Sequence, residues 1–467
     1  MAQQNPAPKL TPEQYACNFA ELHPPLTGEQ AAFEAARCLF CFEAPCITAC
    51  PTHIDVPGFI RKIGNGNTTG AARLILDANP LGASCARVCP VQALCEGACV
   101  VNHNHERPVS IGRLQRFATD VYFQNGMRPL PVAAPDTGQT VALVGAGPAS
   151  LGCAAELRRL GYGAAIFERD PLPGGLNTYG IAPYKMPPEA SLEEIGYIKA
   201  LGVEIHTSVV VNASPASTGA AAASVTLAEL QRDYAAVFVG VGLGATQKLA
   251  VPGEHLAGVH EALAFIRAYK SAPYGTVPVG RAVAVIGAGN TAVDAATAAV
   301  RLGAGKVTIV YRRSREEMPA YDFEYDLAKQ DGIAFEWLTA PVEVLGEHAV
   351  EGLRCVRMRL GARDARGRRT PEPLPGSEFV LPVDMVIAAV GQEKRQSWLA
   401  GIPGLQLLAG RIVADRDTAM TSVPGLFAGG DCANGGKEVV NAVAEGKHAA
   451  HGIDRWLRSR AGGGAGA

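Results

Sequence analysis

Eight of the nine cysteines in the first hundred residues fall in two groups: Cys38-x2-Cys41-x4-Cys46-x3-Cys50-Pro51 and Cys85-x3-Cys89-Pro90-x4-Cys95-x3-Cys99. Thiols at such spacing cannot all serve as buried apolar residues. Proline directly after a cysteine fixes the exit of a cluster-binding loop, as in ferredoxin-type sequences, and the pattern points to two iron–sulfur clusters. Disulfides are the first rival, but they need an oxidising compartment, and the N-terminus shows no basic segment followed by an apolar core. Structural zinc is the second. Zinc knuckles repeat a paired C-x2-C, whereas only Cys38 and Cys41 stand at that spacing. Cys17, Cys153, Cys355 and Cys432 are scattered and read as ordinary thiols of a reducing cytosol.

Two glycine motifs farther along call for something that moves electrons. The first is Val141-Ala-Leu-Val-Gly145-Ala-Gly147-Pro148-Ala149-Ser150. It reads as a strand, a tight turn at Gly145, a close approach of pyrophosphate at Gly147, and a helix whose N-terminus faces the negative charge. Ser150 replaces the usual third glycine but is small enough to pack. Glu168 ends the next strand, 23 residues after Gly145, where a carboxylate can accept bonds from a ribose diol. Gly174-Gly175-Leu176 lets backbone pass against a flat ring or phosphate. Lys185, in the rigid stretch Tyr179–Pro187, is placed beside a flavin; the alternative is a solvated surface lysine.

The second motif is Val283-Ala-Val-Ile-Gly287-Ala288-Gly289-Asn290-Thr291-Ala292. The strand after it ends in Arg312 and Arg313 where the first unit has an acid. Arginine there favours the 2′-phosphate of NADP over the 2′-hydroxyl of NAD. Stacking on adenine, or a salt-bridged surface, is the plainer reading. Ala389, Val390 and Gly391 are assigned to the same nucleotide. Thr421-Ser-Val-Pro-Gly-Leu-Phe-Ala-Gly429-Gly430-Asp431 resembles the closing motif of a flavin domain, with Asp431 accepting from the ribityl chain. A helix beginning at Glu438 and Val439 then points its amides at the flavin pyrimidine carbonyl.

The elements that must hold these residues follow from texture and length. At 467 residues two to four domains are expected. Charge is balanced, 42 basic against 44 acidic residues, which gives no electrostatic case for nucleic acid or anionic membrane. No run of about 18 apolar residues predicts a membrane span. Helix-compatible spacing covers Glu29–Arg37, Val56–Ile63 and Gly112–Tyr122. Pro129–Gly138 reads as a stiff linker, and Ala461–Ala467 as a disordered end. The two glycine motifs lie 142 residues apart and look like a repeated βαβ unit. The fold class is therefore α/β. A helical iron–sulfur domain over residues 1–135 precedes two Rossmann-like domains. An NAD(P)H domain, 271–390, is inserted in an FAD domain, 136–270 and 391–467.

With these pieces in place the chain resembles the glutamate synthase small-subunit superfamily, and within it the electron-input half of dihydropyrimidine dehydrogenase. The most specific stretches are Arg37–Pro51, Asn79–Pro90 and Ile111–Ala118, and the resemblance covers nearly all of residues 25–457. It implies that Cys38, Cys41, Cys46 and Cys99 hold one [4Fe–4S] cluster. Cys50, Cys89 and Cys95 then hold the other, with Gln115 as an amide-oxygen fourth ligand. Simple counting selects Cys85 in place of Gln115. The resemblance further implies hydride transfer from NAD(P)H to FAD and single-electron passage through two clusters. The acceptor is an FMN- and iron–sulfur-containing catalytic subunit that reduces uracil or thymine, in a cytoplasmic hetero-oligomer. A glutamate synthase small subunit or related diaphorase is the alternative, and a non-catalytic cluster-assembly protein a third.

Overall fold

The computed structural model describes residues 7–126, 134–213, 223–364 and 367–462. Residues 129–133 of the expected linker and 463–467 of the glycine-rich tail lie outside them. The chain divides into two compact units. Among the described residues no helix is long and apolar enough to cross a membrane.

The larger unit holds Leu22–Thr178, Lys185–Leu243 and everything from Lys394 onward. Its N-terminal part is helical. Thr27 and Gln30 form a capping box at Gly28–Ala35, Asp55 caps Val56–Gly64, and Asn67 caps Thr68–Ala78. The longest of these helices, Ile111–Gln124, buries Ile111, Leu114, Gln115, Ala118 and Tyr122, a stripe at the helical repeat. Phe59, Ile60, Ile75 and Leu114 are fully buried and belong to one continuous core with Val141 and Leu143 of the sheet that follows. The cysteine-bearing helices therefore do not form a core of their own.

That sheet has five parallel strands in the order Leu426–Ala428, Ala236–Val239, Thr140–Val144, Gly163–Phe167, Val203–His206. Val141–Val144 is buried at every position, as a strand covered on both faces requires. The edge strand Leu426–Ala428 arrives only after the whole second unit, so that unit is an insertion. The second unit has its own five parallel strands, in the order Ala334–Glu336, Lys306–Val310, Ala282–Ile286, Met385–Ala388, Val259–Glu261. An antiparallel sheet is added to it: Thr339–Leu345, Gly352–Arg363 and Arg369–Pro373 in order, with Phe379–Leu381 also paired to the central strand.

Two boundaries differ from the sequence expectation. Val259–Glu261 pairs with Met385–Ala388, so the inserted unit begins at Gly244 and runs to Glu393. Residues 7–21, expected with the helical domain, belong to the inserted unit. There Phe19 stacks on Tyr274 with centroids 4.1 Å apart, and Asn18 Nδ2 donates to the Arg301 carbonyl at 2.9 Å. Tyr179–Tyr184 joins the same unit, where the Tyr184 hydroxyl donates to Asp294 Oδ1 at 3.2 Å.

In the larger unit, helices Pro148–Arg159 and Val439–Gly462 cross at glycine. A Cβ on Gly446 would lie 2.0 Å from the Ala149 carbonyl oxygen, and one on Gly152 3.0 Å from the Val443 carbonyl oxygen. Gly446→Ala is expected to lower stability by about 1–3 kcal/mol through overpacking against backbone. Gly28→Ala, whose added methyl meets nothing within 4 Å, is expected to leave the melting temperature unchanged or higher. Thermal unfolding followed by circular dichroism checks both.

Candidate functional site

The eight clustered cysteines separate into two sets that cross the two sequence groups. Cys38, Cys41, Cys46 and Cys99 line one cavity, walled on its apolar side by Val56, Ile60 and Ile111. Burial pushes the Cys46 thiol up to about 11, with Cys38 and Cys99 adding to it, and raises Cys38 with Cys41 and Cys99 beside it. Phe40, between the first two cysteines, has φ +51°. A left-handed phenylalanine is strained, and here the strain bends the Cys38–Cys41 loop round the cavity.

The second set is Cys50, Cys89 and Cys95, with Cys85 adjacent. Cys89 is raised by its hydrogen bond to Cys85, by burial, and by Cys95 and Cys50. Cys95 is raised by burial, Glu96 and Cys50. All twelve cysteines lie among the described residues, and none forms a disulfide. No three His, Cys, Asp or Glu side chains among the described residues converge closely enough for a single metal ion. Thiols drawn from separate loops round one cavity are the donor type that a [4Fe–4S] cluster takes.

Gln115 and Cys85, the two candidates for the fourth ligand of the second set, sit in different environments. Cys85 is buried, and its Sγ accepts from Asn79 Nδ2 at 3.1 Å. Gln115 is also buried. Its Nε2 donates to the Gly82 carbonyl at 2.7 Å, and no hydrogen bond occupies Oε1 among the described residues. Glu194, which the sequence did not mark, lies beside them at no exposure. It accepts from Ala83 N at 2.6 Å, from Ser84 N at 2.9 Å and from the Ser84 hydroxyl. Burial pushes its pKa up to about 7 against the pull of those donors and Arg87.

At the C-terminal ends of the parallel strands, the first glycine motif meets the other residues assigned to it. Gly145 has φ +87°, and a Cβ there would lie 2.9 Å from the Gly240 carbonyl oxygen. Pro148 and Ala149 open the helix, with Gly147 at its N-cap. A Cβ on Gly175 would come 3.1 Å from Gly147 Cα, and one on Gly430 2.8 Å from Ala149 Cβ. Glu168 is buried and accepts from Ala146 N at 2.6 Å and Asp170 N at 2.9 Å, which ties the strand end to the turn. Ser150 is fully buried, and a Cβ on Gly240 would lie 2.3 Å from its Oγ, so the small third residue is a packing requirement. Leu176 is 40% exposed and Lys185 half-buried. Asp431 is half-buried; burial raises its pKa, and its Oδ1 accepts from Lys437 N at 3.2 Å. Glu438 directly precedes the final helix, which starts at Val439. Glu445 escaped the sequence reading: it accepts from Gly430 N at 2.8 Å and from Asn434 Nδ2, holding the turn before Asp431.

The inserted unit repeats the plan. Gly287, at φ +125°, donates its N–H to the Val310 carbonyl at 3.0 Å, and its absent side chain would meet the Ala389 oxygen at 2.3 Å. Asn290 Oδ1 accepts from Tyr321 N at 3.3 Å and Ala288 O from Ala320 N, so residues 320–321 line the glycine turn. Thr291, Val390 and Gly391 are exposed beside it. The strand ends at Val310, so both arginines lie in the loop beyond it. They diverge there. Arg312 is exposed, whereas Arg313 is buried and donates through Nε to the Arg369 carbonyl at 2.9 Å.

Comparison with known proteins agrees with this arrangement. Residues 15–127 match the family described as dihydropyrimidine dehydrogenase domain II, 4Fe-4S cluster, and residues 139–446 match pyridine nucleotide-disulphide oxidoreductase. The chain is 37% identical over 455 residues to the glutamate synthase [NADPH] small chain of Escherichia coli, covering 94% of each. It is 38% identical over 441 residues to the NADP(+)-dependent formate dehydrogenase subunit beta of Moorella thermoacetica, covering 89% of this chain and 60% of that one. The structure of Mycobacterium tuberculosis FprA in complex with NADPH superposes with a TM-score of 0.57 at 21% identity, over 71% of this chain and 86% of that one, which shows a shared fold. Binding of FAD, a nicotinamide dinucleotide and 4Fe–4S iron goes with this membership. An iron–sulfur helical domain joined to a paired dinucleotide fold makes the chain an oxidoreductase of the pyridine nucleotide-disulphide family, within the glutamate synthase small-subunit superfamily.

Proposed function

We propose that this chain is the electron-input subunit of a bacterial dihydropyrimidine dehydrogenase. It takes hydride from NADPH onto FAD and delivers single electrons through two [4Fe–4S] clusters to an FMN- and iron–sulfur-containing partner that reduces uracil or thymine. The observation that carries this reading over its rivals is the Gln115 amide. Its nitrogen is committed to the carbonyl of Gly82, on the helix that leads into Cys89, which leaves the harder, neutral Oε1 as the amide's donor atom for iron. When bound, FAD supplies the chemistry that receives two electrons together and releases them singly. The protein's share is orientation. Gly147, Gly175 and Gly430 would leave room for the dinucleotide, with Glu168 serving its ribose, Asp431 its ribityl chain and Lys185 the ring. Gly287, Ala288, Gly289, Asn290, Thr291 and Ala389–Gly391 would hold the nicotinamide nucleotide.

A second reading, the small subunit of a glutamate synthase, is favoured by the matched length of the Escherichia coli relative. Affinity purification of the tagged chain from its own cells separates the two. A co-purifying FMN protein with uracil-dependent NADPH oxidation is expected. Glutamine- and 2-oxoglutarate-dependent oxidation, without a uracil response, would move the chain to the glutamate synthases.

For the iron ligands, Gln115→Ala is expected to lose or destabilise one cluster and Cys85→Ala to keep full iron, with FAD bound in both. Iron and sulfide analysis checks this, and the reverse pattern would return the ligand to Cys85. NADPH should still bleach the flavin of Gln115→Ala, because the hydride step precedes the clusters.

For nucleotide choice, Arg312 carries the selection and Arg313 the loop. Losing one charged contact to a 2′-phosphate costs roughly 1.5–3 kcal/mol, or about 10- to 150-fold. Arg312→Ala should raise KM for NADPH by about that factor and leave KM for NADH nearly unchanged. Arg313→Ala should lower the melting temperature without changing the ratio of the two. Steady-state kinetics with both nucleotides decides, and equal losses for Arg312→Ala would end the assignment.

A further inference from the structure

The helix Gly82–Val88, which leads directly into Cys89, has no capping side chain of its own; Leu81 stands at its N-cap. Its amides are paired nonetheless, by a residue from far along the chain. Glu194 lies on the helix Pro188–Ala200, which packs against the flavin-side sheet, and takes Ala83 N, Ser84 N and the Ser84 hydroxyl together. A capping bond contributes less than the desolvation of a fully buried carboxylate costs. Helix stability alone therefore does not account for a buried acid here.

What this acid holds does. The carbonyl of Gly82, the first residue of the capped turn, is the acceptor that orients the Gln115 amide. One turn before Glu194 on the same helix, Ser191 shares a hydrogen bond with Thr178 at 2.9 Å. A Cβ on Gly174 would strike both hydroxyls, at 2.0 Å from Thr178 and 2.9 Å from Ser191. A single helix thus touches the Gly174–Gly175 loop of the dinucleotide site and the turn that aims Gln115.

We propose that Glu194 is a positioning residue for the second cluster: by capping the Gly82 helix it fixes the Gly82 carbonyl, and through it the placement of Gln115 and Cys89 round the iron. The proposal rests on the reading of Gln115 as a ligand. Glutamine at 194 offers one acceptor oxygen where the carboxylate has two, and its amide group faces backbone donors, so the turn must shift while the volume stays the same.

The test uses the full-length, cluster-loaded protein. Glu194→Gln and Ser84→Ala are compared with wild type for iron, sulfide and FAD content, for the electron paramagnetic resonance spectrum after dithionite reduction, and for midpoint potentials by redox titration. Glu194→Gln is expected to keep FAD and most of its iron while changing the g-values and midpoint of one cluster only. Ser84→Ala should move the same signal by less. Spectra and potentials that superimpose on wild type overturn the proposal, as does an equal shift of both clusters with loss of FAD, which marks a general loosening. If Glu194→Gln does not accumulate, Ser84→Ala decides by the same criterion. Gln115→Ala, measured alongside, separates this proposal from the reading it rests on. Iron loss there with an unchanged Glu194→Gln spectrum overturns Glu194 alone. A shifted Glu194→Gln spectrum with Gln115→Ala fully loaded and unshifted overturns the Gln115 reading and leaves Glu194 acting through Cys89.

Discussion

The carbonyl of Ala149 occupies the space that a side chain at residue 446 would need, and most of the larger unit depends on that contact. The larger unit's parallel sheet is assembled from chain on both sides of an insertion: its last strand is held by pairing with Ala236–Val239, and its final helix by backbone-to-backbone approach to Pro148–Arg159, which glycine at 446 permits. The same crossing places two helix N-termini near one region of the sheet's C-terminal edge, where anionic groups are stabilised. Glu445, one residue before Gly446, then pins the Gly430 amide. Packing and binding geometry are consequences of one crossing.

The helical cysteine domain extends that core. Ile111–Gln124 packs Phe123 edge-on against Tyr197 of Pro188–Ala200, with centroids 6.2 Å apart, and Glu194 bonds the opposite side of the same arrangement. Small cysteine-rich regions rarely bury enough apolar surface to stand alone. This one borrows the sheet's core.

The inserted unit solves the same βαβ problem with different attachments. Its added antiparallel sheet brings Arg369 beside the loop after Val310, where the Arg369 carbonyl captures Arg313. Two adjacent arginines that look equivalent in sequence thus acquire different tasks, one structural and one solvent-facing.

Much of this was legible in the sequence because the signals are local. A glycine that must take positive φ, as at Gly145 and Gly287, betrays its turn without any partner, and an uninterrupted apolar run such as Val141–Val144 betrays a strand buried on both faces. The cysteine spacing likewise announced iron–sulfur chemistry. What stayed hidden depends on residues far apart in the chain. The crossing of Cys50 and Cys99 between the two thiol sets was available only through resemblance, since spacing groups each with its neighbours. Glu194 and Glu445 look like ordinary surface acids on helices, and find their partners, and for Glu194 full burial, only when another segment closes over them. The compact unit's extent from Gly244, and its inclusion of residues 7–21, follow from strand pairing at Val259 and ring stacking at Phe19. Short-range backbone sterics and apolar periodicity were written in the sequence. Long-range pairing, and the burial of charge that comes with it, was decided by the tertiary structure.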